Sequence, residues 1–471
     1  MPVQHNLNIF SLCLFLPLII IAPTSCKKLV DPGTPTNRLS SAMVYSNDSL
    51  ALQAVNGIYT EIMQSSSPLN GYTTWLCGAY SDELDQPVID NKYEPFLTCS
   101  LEADNPMVSE IWGIFYKYIY QTNAVIEGIN NSGSKLKLRN QLLGEAHFLR
   151  ALNYFYLVNL FGDVPLVTST NYKANTKIVR TAAEKIYDQM VSDLQKAQQL
   201  LSGIYFTNEN PSERVRANRF AATALLARVY LYKKDWAAAE NAATQVIQSF
   251  IYRLETELDQ TFLSISKEAI LQFLPAPGSN TSEGATFIPQ NGNLPAFSIR
   301  DSLLNAFEPG DKRWQWIGKT SYNGIIYYYP LKYKRSAGAP YSENYMVFRL
   351  AEQYLIRAES RIMQNDLAGA TVEINIIRQR AGLAAKAGFN SQAAAMVALE
   401  QERRIELFAE WGHRWFDLKR WSAHSPSPSR ITRADEELSQ LKPLWRNTAL
   451  LWPIPTNELR LNNVLIQNNG Y

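Results

Sequence analysis

The chain has 471 residues, enough for about three domains of ordinary size or for one large one. With 46% hydrophobic and 19% charged residues its composition is globular, which excludes a wholly disordered chain. Lys and Arg number 45 against 43 Asp and Glu, a net charge of +2, so no basic excess exists to drive binding to a phosphate backbone. Four Cys and four His, without a CxxC or an HExxH, are too few and too scattered for a zinc framework.

Ile9 to Ala22 is an apolar run broken only by Ser11 and Pro17. It is too short to cross a bilayer as a stable helix and has the length of a signal-peptide core. Pro23-Thr24-Ser25-Cys26 follows, and a small residue just before a cysteine after such a run resembles a bacterial lipoprotein cleavage site. Residues 1–25 are therefore expected to be removed and Cys26 lipidated. Such sites usually carry an aliphatic residue where this chain has Pro23. Residues 26–46 are rich in Pro, Gly, Ser and Thr and read as a flexible tether. Residues 47–471 form the body, with halves at about 47–250 and 251–471. Later stretches are too short in apolar residues to span a membrane, so a tether is the expected attachment. A disulfide between Cys77 and Cys99 stays open, because sequence separation does not establish geometry.

The spacing of apolar residues predicts helices over Ser49–Met63, Ser109–Ile129, Leu136–Phe161, Thr181–Leu201 and Asn218–Lys233. Thr181 and Glu184 make a capping-box pattern, and Asp235 is placed to cap the helix that carries Ala239, Ala243 and Val246. Two helix pairs resemble each other: residues 225–247 align with 356–378, so that Ala227 meets Ala358, Asp235 meets Asp366 and Ala239 meets Ala370. Small residues where helices touch, with an Asp restarting the second helix, are tetratricopeptide-like chemistry. The repeats are not in tandem, so the pattern predicts a helical scaffold interrupted by long insertions. The largest runs from about 251 to 348. Its part 275–297 reads as loop, and nine of the residues from 312 to 345 are Trp or Tyr. Residues 72–96 are a smaller aromatic counterpart.

Motifs for chemistry are mostly missing. Gly318-Lys319-Thr320 lacks the first glycine of a phosphate loop, Arg313 standing there. His147 reads as a packing or helix-surface residue. Ser81-Asp82-Glu83 reads first as a capped turn with solvated acids. Trp411 and Trp415 fall on one helix face with Leu407 and Leu418, a core stripe, and Glu410 and Arg414 as an ordinary i,i+4 pair. Exposed loop aromatics suit capture of sugars, whose C–H faces stack on Trp and Tyr at little entropic cost.

At this point the chain resembles the SusD/RagB family of glycan-binding outer-membrane lipoproteins. The match rests on Ser81-Asp82-Glu83, on residues 110–129 with Trp112, Tyr116, Ile119 and Asn123, on 144–167, on 348–383, on 399–421 and on 451–471. The resemblance implies a mainly α fold, a single domain with four tetratricopeptide-like helix pairs as scaffold plus loop-rich insertions with short strands. It implies a lipid-anchored, surface-exposed, non-catalytic protein that binds oligosaccharide and delivers it to a TonB-dependent SusC-like transporter; no cofactor and no metal ligands are expected, and a structural metal stays open. Ligand contacts are expected from about 85–100 and 312–345. Trp75, Tyr93, Trp314, Trp316 and Tyr322 are the candidates for stacking, and Asp90, Asn91 and Asn323 for hydroxyl groups. A peptide cargo, or a scaffold serving only assembly, is the alternative.

Overall fold

The computed structural model describes residues 41–64, 67–133, 136–206, 213–290, 292–338 and 342–471. The signal segment, Cys26, most of the tether and Tyr341 lie outside them. The helices that matter here are α1 (Asp48–Ile62), α2 (Thr73–Tyr80), α3 (Pro106–Asn131), α4 (Arg139–Phe161), α5 (Ala183–Leu200), α6 (Arg219–Tyr232), α7 (Trp236–Ile247), α8 (Leu350–Met363), α9 (Leu367–Arg380), α10 (Gln392–Glu406), α11 (His413–Arg420) and α12 (Arg433–Leu441). Side-chain caps explain several starts: Asn218, Asp235 and Asp366 each accept a backbone N–H from the first turn of α6, α7 and α9. Each such cap is worth about 0.5–2 kcal/mol. The capping box expected at Thr181 is not formed. The chain there is held instead by the Asp163 carboxylate, which accepts the Ala183 N–H at 2.8 Å.

From α3 to α10 each helix packs on its neighbour in sequence, and α7 packs on α8 although about a hundred residues separate them. The insertion thus leaves the stack and returns without interrupting it. The matched pairs α6/α7 and α8/α9 bury Ala227, Ala239, Ala358 and Ala370 completely, which lets the axes approach closely. The fold is mainly α and tetratricopeptide-like, and the sheets among the described residues have two strands each. In the insertion, β1 (Ala269–Phe273) pairs antiparallel with β4 (Tyr345–Arg349), and both are buried along their length. Between them β2 (Ile317–Tyr322) and β3 (Ile325–Pro330) form a hairpin. Residues 42–471 form one compact unit, whose main core runs from Ala51 through Tyr80, Phe155 and Tyr345 to Trp452, with smaller apolar clusters between α6 and α7 and among α8, α9 and α10.

The C-terminal helix expected through Leu407, Trp411 and Trp415 is broken. α10 ends at Glu406 and α11 starts at His413, with Ala409, Trp411 and Gly412 at positive φ between them. Such a backbone costs on the order of 1–3 kcal/mol at each non-glycine residue. It is offset by burial of Trp411, whose ring stacks on Tyr345 at 4.8 Å and whose Nε1 donates to the Met346 carbonyl at 2.6 Å. Trp411 and Trp415 are core residues, as expected, but on a kink rather than one face.

The same kink separates Glu410 from Arg414, so they do not form an i,i+4 pair. Glu410 receives Arg349 and Lys332, while Arg414 reaches Asp82 and Glu400. These contacts belong to a buried network of ions. Arg349 from β4 donates to Glu268, Glu406 and Glu410, and Arg313 to Asp311, Glu402 and Glu406. Arg380 joins Glu268 to Glu406, and Arg378 joins Glu308 to Glu402. Charges taken this far from water are tolerated only when paired and hydrogen-bonded. The network clamps the start of the aromatic insertion, at Asp311 and Arg313, to α10. His147 is likewise buried and paired, Nδ1 lying 2.8 Å from Asp193. Cys77 and Cys99 are both buried and free, which closes the question of a disulfide between them.

Candidate binding groove

Ser81-Asp82-Glu83 is not a solvated turn: all three residues are buried. Ser81 ends α2, its Oγ donating to the Gly78 carbonyl at 3.0 Å. Asp82 takes both Arg414 and Arg404. Burial raises the Asp82 carboxyl while Arg414 and Arg404 lower it, and the guanidiniums win, leaving it well below the usual carboxylate range. Backbone carbonyls of this turn then receive the insertion: Glu83 O accepts the Arg300 N–H at 2.9 Å, and Asp82 O accepts Ser302 Oγ at 3.1 Å. The turn thus fixes where Leu84–Asp85 pairs with Ser298–Ile299.

Those two short strands floor a groove of about 470 Å³, a size usual for small-molecule sites. One wall is Ile326, Tyr327 and Tyr328 of β3; the others are Gln86, Pro87, Arg300, Asp301, Ser302 and Leu441. The groove joins the segment after Glu83 to the aromatic hairpin, the two regions singled out in the sequence. The hairpin stands on a buried foot. Trp316 is fully buried, its Nε1 donating to Leu258 O at 3.0 Å and its ring edge-on to Phe262. At the far end Asn323 and Gly324 make a two-residue turn, both at positive φ, as an Asn-Gly hairpin requires.

The candidate residues divide. Trp314 is 43% exposed and sits edge-on to Tyr328 at 6.0 Å, beside the groove. Tyr322 is exposed at the hairpin end, and Asn323 serves the turn. Tyr93 is half-buried against Phe297 at 5.3 Å. Asp90 and Asn91 are exposed; Asp90 donates its N–H to Gln86 Oε1, and its own carboxylate accepts from the Lys92 N–H. Two candidates are corrected. Trp316 is the hairpin's foot, and Trp75 is buried in α2 between Tyr72 and Phe287, so neither offers a ring face to a ligand. Sequence reasoning missed Arg300 and Asp301 altogether, covered Gln86 only as part of the 85–100 segment, and placed Tyr327 and Tyr328 in an aromatic-rich stretch without marking them as contacts.

A depression of about 410 Å³ also has aromatic walls, Tyr59, Phe206 and Phe273, but the Arg216 guanidinium lies over the Tyr59 and Phe206 rings and pairs with Glu145; two others lack the aromatic wall. A wider one of about 820 Å³ lies over α5, α6 and α7 beside Gln198 and Gln245, with half-buried Phe220 as its aromatic. Another of about 580 Å³ is lined by Ile265, Pro275 and Tyr205, but the Tyr205 hydroxyl is committed to Tyr252 and to Ile270 O. Among the described residues no cluster of three or more His, Cys, Asp or Glu is arranged to hold a metal ion, and no helix is long and apolar enough to cross a membrane.

Buried carboxyls near the groove give the fold a pH dependence. Burial, reinforced by Asp82, pushes Glu83 up to about 8, against Arg414 and Lys332. Burial, with Glu410, pushes Glu283 up to about 7, against hydrogen bonds from Tyr345 and Thr74. A carboxyl whose folded pKa exceeds its unfolded value stabilises fully below the unfolded value, near about 4.3, and that stability is lost as pH rises toward the folded one. The buried Lys332, Lys419 and Lys442, lowered by burial to about 8, 7 and 8, act in the opposite sense, mainly above pH 7, and buried His413, held well below its ordinary value by burial and by the nearby Arg228, Arg403, Arg349 and Lys332, acts in that sense below about 6.5. Between pH 5 and 7 the two carboxyls outweigh His413, so the stability read from urea melts is expected to fall, by up to about 1.4 kcal/mol per pH unit. Glu83→Gln with Glu283→Gln is expected to flatten the slope; an unchanged slope contradicts the assignment.

A helical tetratricopeptide-like scaffold whose insertions build an open, aromatic-walled groove has the form of a binding protein. The chain belongs to the SusD/RagB family. A family model described as "Starch-binding associating with outer membrane" matches residues 51–231, and the "SusD family" model matches 281–471. The family is one of carbohydrate-binding proteins associated with the outer membrane. A SusD-like protein of Formosa agariphila is 25% identical, the alignment covering 96% of this chain and 98% of that one. Among solved structures, a SusD superfamily protein from Bacteroides vulgatus superposes with a TM-score of 0.77 at 22% identity, over 91% of this chain and 100% of that chain. A structure titled "Laminarin binding SusD-like protein" gives 0.74 at 24% identity, over 91% and 100%.

Proposed function

We propose that this chain is a non-catalytic, lipid-anchored subunit on the cell surface that captures oligosaccharide and hands it to a TonB-dependent SusC-like transporter. The observation that carries the reading is the groove itself, where β3 meets the segment after Glu83. Tyr327, Tyr328 and the neighbouring Trp314 supply ring surface for sugar C–H faces. Gln86, Asp90, Asn91 and the exposed backbone near Asn323 supply partners for hydroxyls, and Tyr93 and Tyr322 extend the surface. The laminarin-binding protein of similar fold supports a polysaccharide ligand. Affinity-gel electrophoresis against a panel of polysaccharides tests it. Tyr327→Ala and Tyr328→Ala are expected to weaken the bound case at least about tenfold with the circular dichroism unchanged. Retardation equal to that of the unaltered chain contradicts the groove as the site.

One observation favours a second reading. Each strand of the hairpin pairs on one side only among the described residues, and Ile325 and Ile326 are exposed beside it. A free edge of this kind accepts an extended peptide as an added strand. Binding of a peptide library but of no polysaccharide favours that cargo.

A further inference from the structure

Resting on the glycan reading above, we infer that the groove selects uncharged saccharides and rejects uronate- or sulfate-bearing ones. The reasoning starts from the charges that line it. The groove holds two carboxylates, Asp85 and Asp301, against one guanidinium, Arg300. That guanidinium is already used. Arg300 NH1 lies 3.0 Å from Asp85 Oδ2, and its Nε donates to the Leu84 carbonyl at 3.0 Å. The same residue's backbone N–H is taken by Glu83 O. Arg300 is thereby held as part of the floor rather than left free to receive an anion in the bidentate manner that acidic sugars need.

Asp301 is the opposite case. It is exposed, it opens a short helix, and its carboxylate has no hydrogen-bond or ion-pair partner among the described residues. An anionic ligand entering the groove meets this uncompensated charge and is repelled by it, which lowers its affinity relative to a neutral one. The other lining groups, Gln86, Ser298, Ser302 and the tyrosine hydroxyls, are neutral donors and acceptors that suit hydroxyl groups. Lys319 stands opposite Tyr328 in the hairpin but is not among the lining residues.

The test is isothermal titration of the full chain with a neutral glucan (laminarin), an alginate and a carrageenan, each at low and high salt. The neutral polymer is expected to bind at least about tenfold more tightly than either acidic one, with little change in affinity on adding salt. Asp301→Lys is expected to shift the neutral-to-acidic affinity ratio at least about tenfold toward the acidic polymers, and Asp301→Asn to shift it part of the way. Tighter binding of alginate or carrageenan, weakening with salt, overturns the inference and leaves the glycan reading standing. A ratio that Asp301→Lys does not move also overturns it. If none of the three binds, and no other neutral polysaccharide of the panel binds in laminarin's place, the glycan reading is overturned and the inference with it.

Discussion

Arg349→Ala is expected to destabilise the fold by about 3–5 kcal/mol, read as a fall in the urea midpoint at pH 7. The guanidinium is buried and makes five hydrogen bonds: to Glu268, to the Glu406 carboxylate and carbonyl, and two to Glu410. Removing it leaves three buried carboxylates short of their partner. Their cost is the desolvation of an uncompensated charge, which is larger than the net worth of the pair. The direction of the titrations agrees: burial raises Glu406, but Arg380, Arg349 and Arg313 together hold it well below the usual range. Loss of Arg349 is expected to let these carboxyls take up protons, so the variant recovers stability as the pH is lowered toward 5. A variant as stable as the parent at pH 7 contradicts the network. An exposed pair such as Lys185 with Asp188 is the contrast, with an expected cost of less than about 1 kcal/mol.

Two tryptophans two positions apart, Trp314 and Trp316, are expected to separate stability from binding. Trp316→Ala removes the fully buried foot of the hairpin and is expected to cost about 3–5 kcal/mol in a thermal or urea melt. Trp314→Ala truncates a ring that is 43% exposed and touches Phe307 and Tyr328 at its edges. Its expected cost to stability is about 1 kcal/mol, with a loss of glycan affinity of at least about fivefold. Equal effects on melting by both substitutions contradict the separation of foot and platform. The turn that carries both explains the difference: residues 314 and 316 lie in one 3₁₀ turn, Lys312–Trp316, that places one ring inward and the other outward.

That contrast also marks how far the chain was legible. The helices were readable because apolar spacing is local, and the matched pairs 225–247 and 356–378 recur with Asp235 and Asp366 as the same cap in both. The break at Ala409–Gly412 was not, because only Gly412 announces a positive φ and the compensation for Trp411 comes from Met346, distant in sequence. Trp314 and Trp316 look alike in sequence, and so do Trp75 and Tyr93. Which ring faces water is decided by Phe262, Leu258 and Phe287, residues brought in by the tertiary fold. Asp82 and Glu83 read as solvated acids because Arg414 and Arg404, their partners or neighbours, lie more than three hundred residues away. Arg300 and Asp301 carried no local signal; they join the groove through the pairing of Leu84–Asp85 with Ser298–Ile299.

The most direct test of the account is hydroxyl-radical footprinting of the chain with and without the polysaccharide it retains in affinity gels. The account predicts protection of Tyr327, Tyr328 and Trp314 on addition of the polymer, with buried Trp316 and Trp75 unreactive in both states. Protection confined to Tyr205 and its surrounding cavity, or to Phe220 over α5 to α7, with Tyr327 and Tyr328 unchanged, contradicts it.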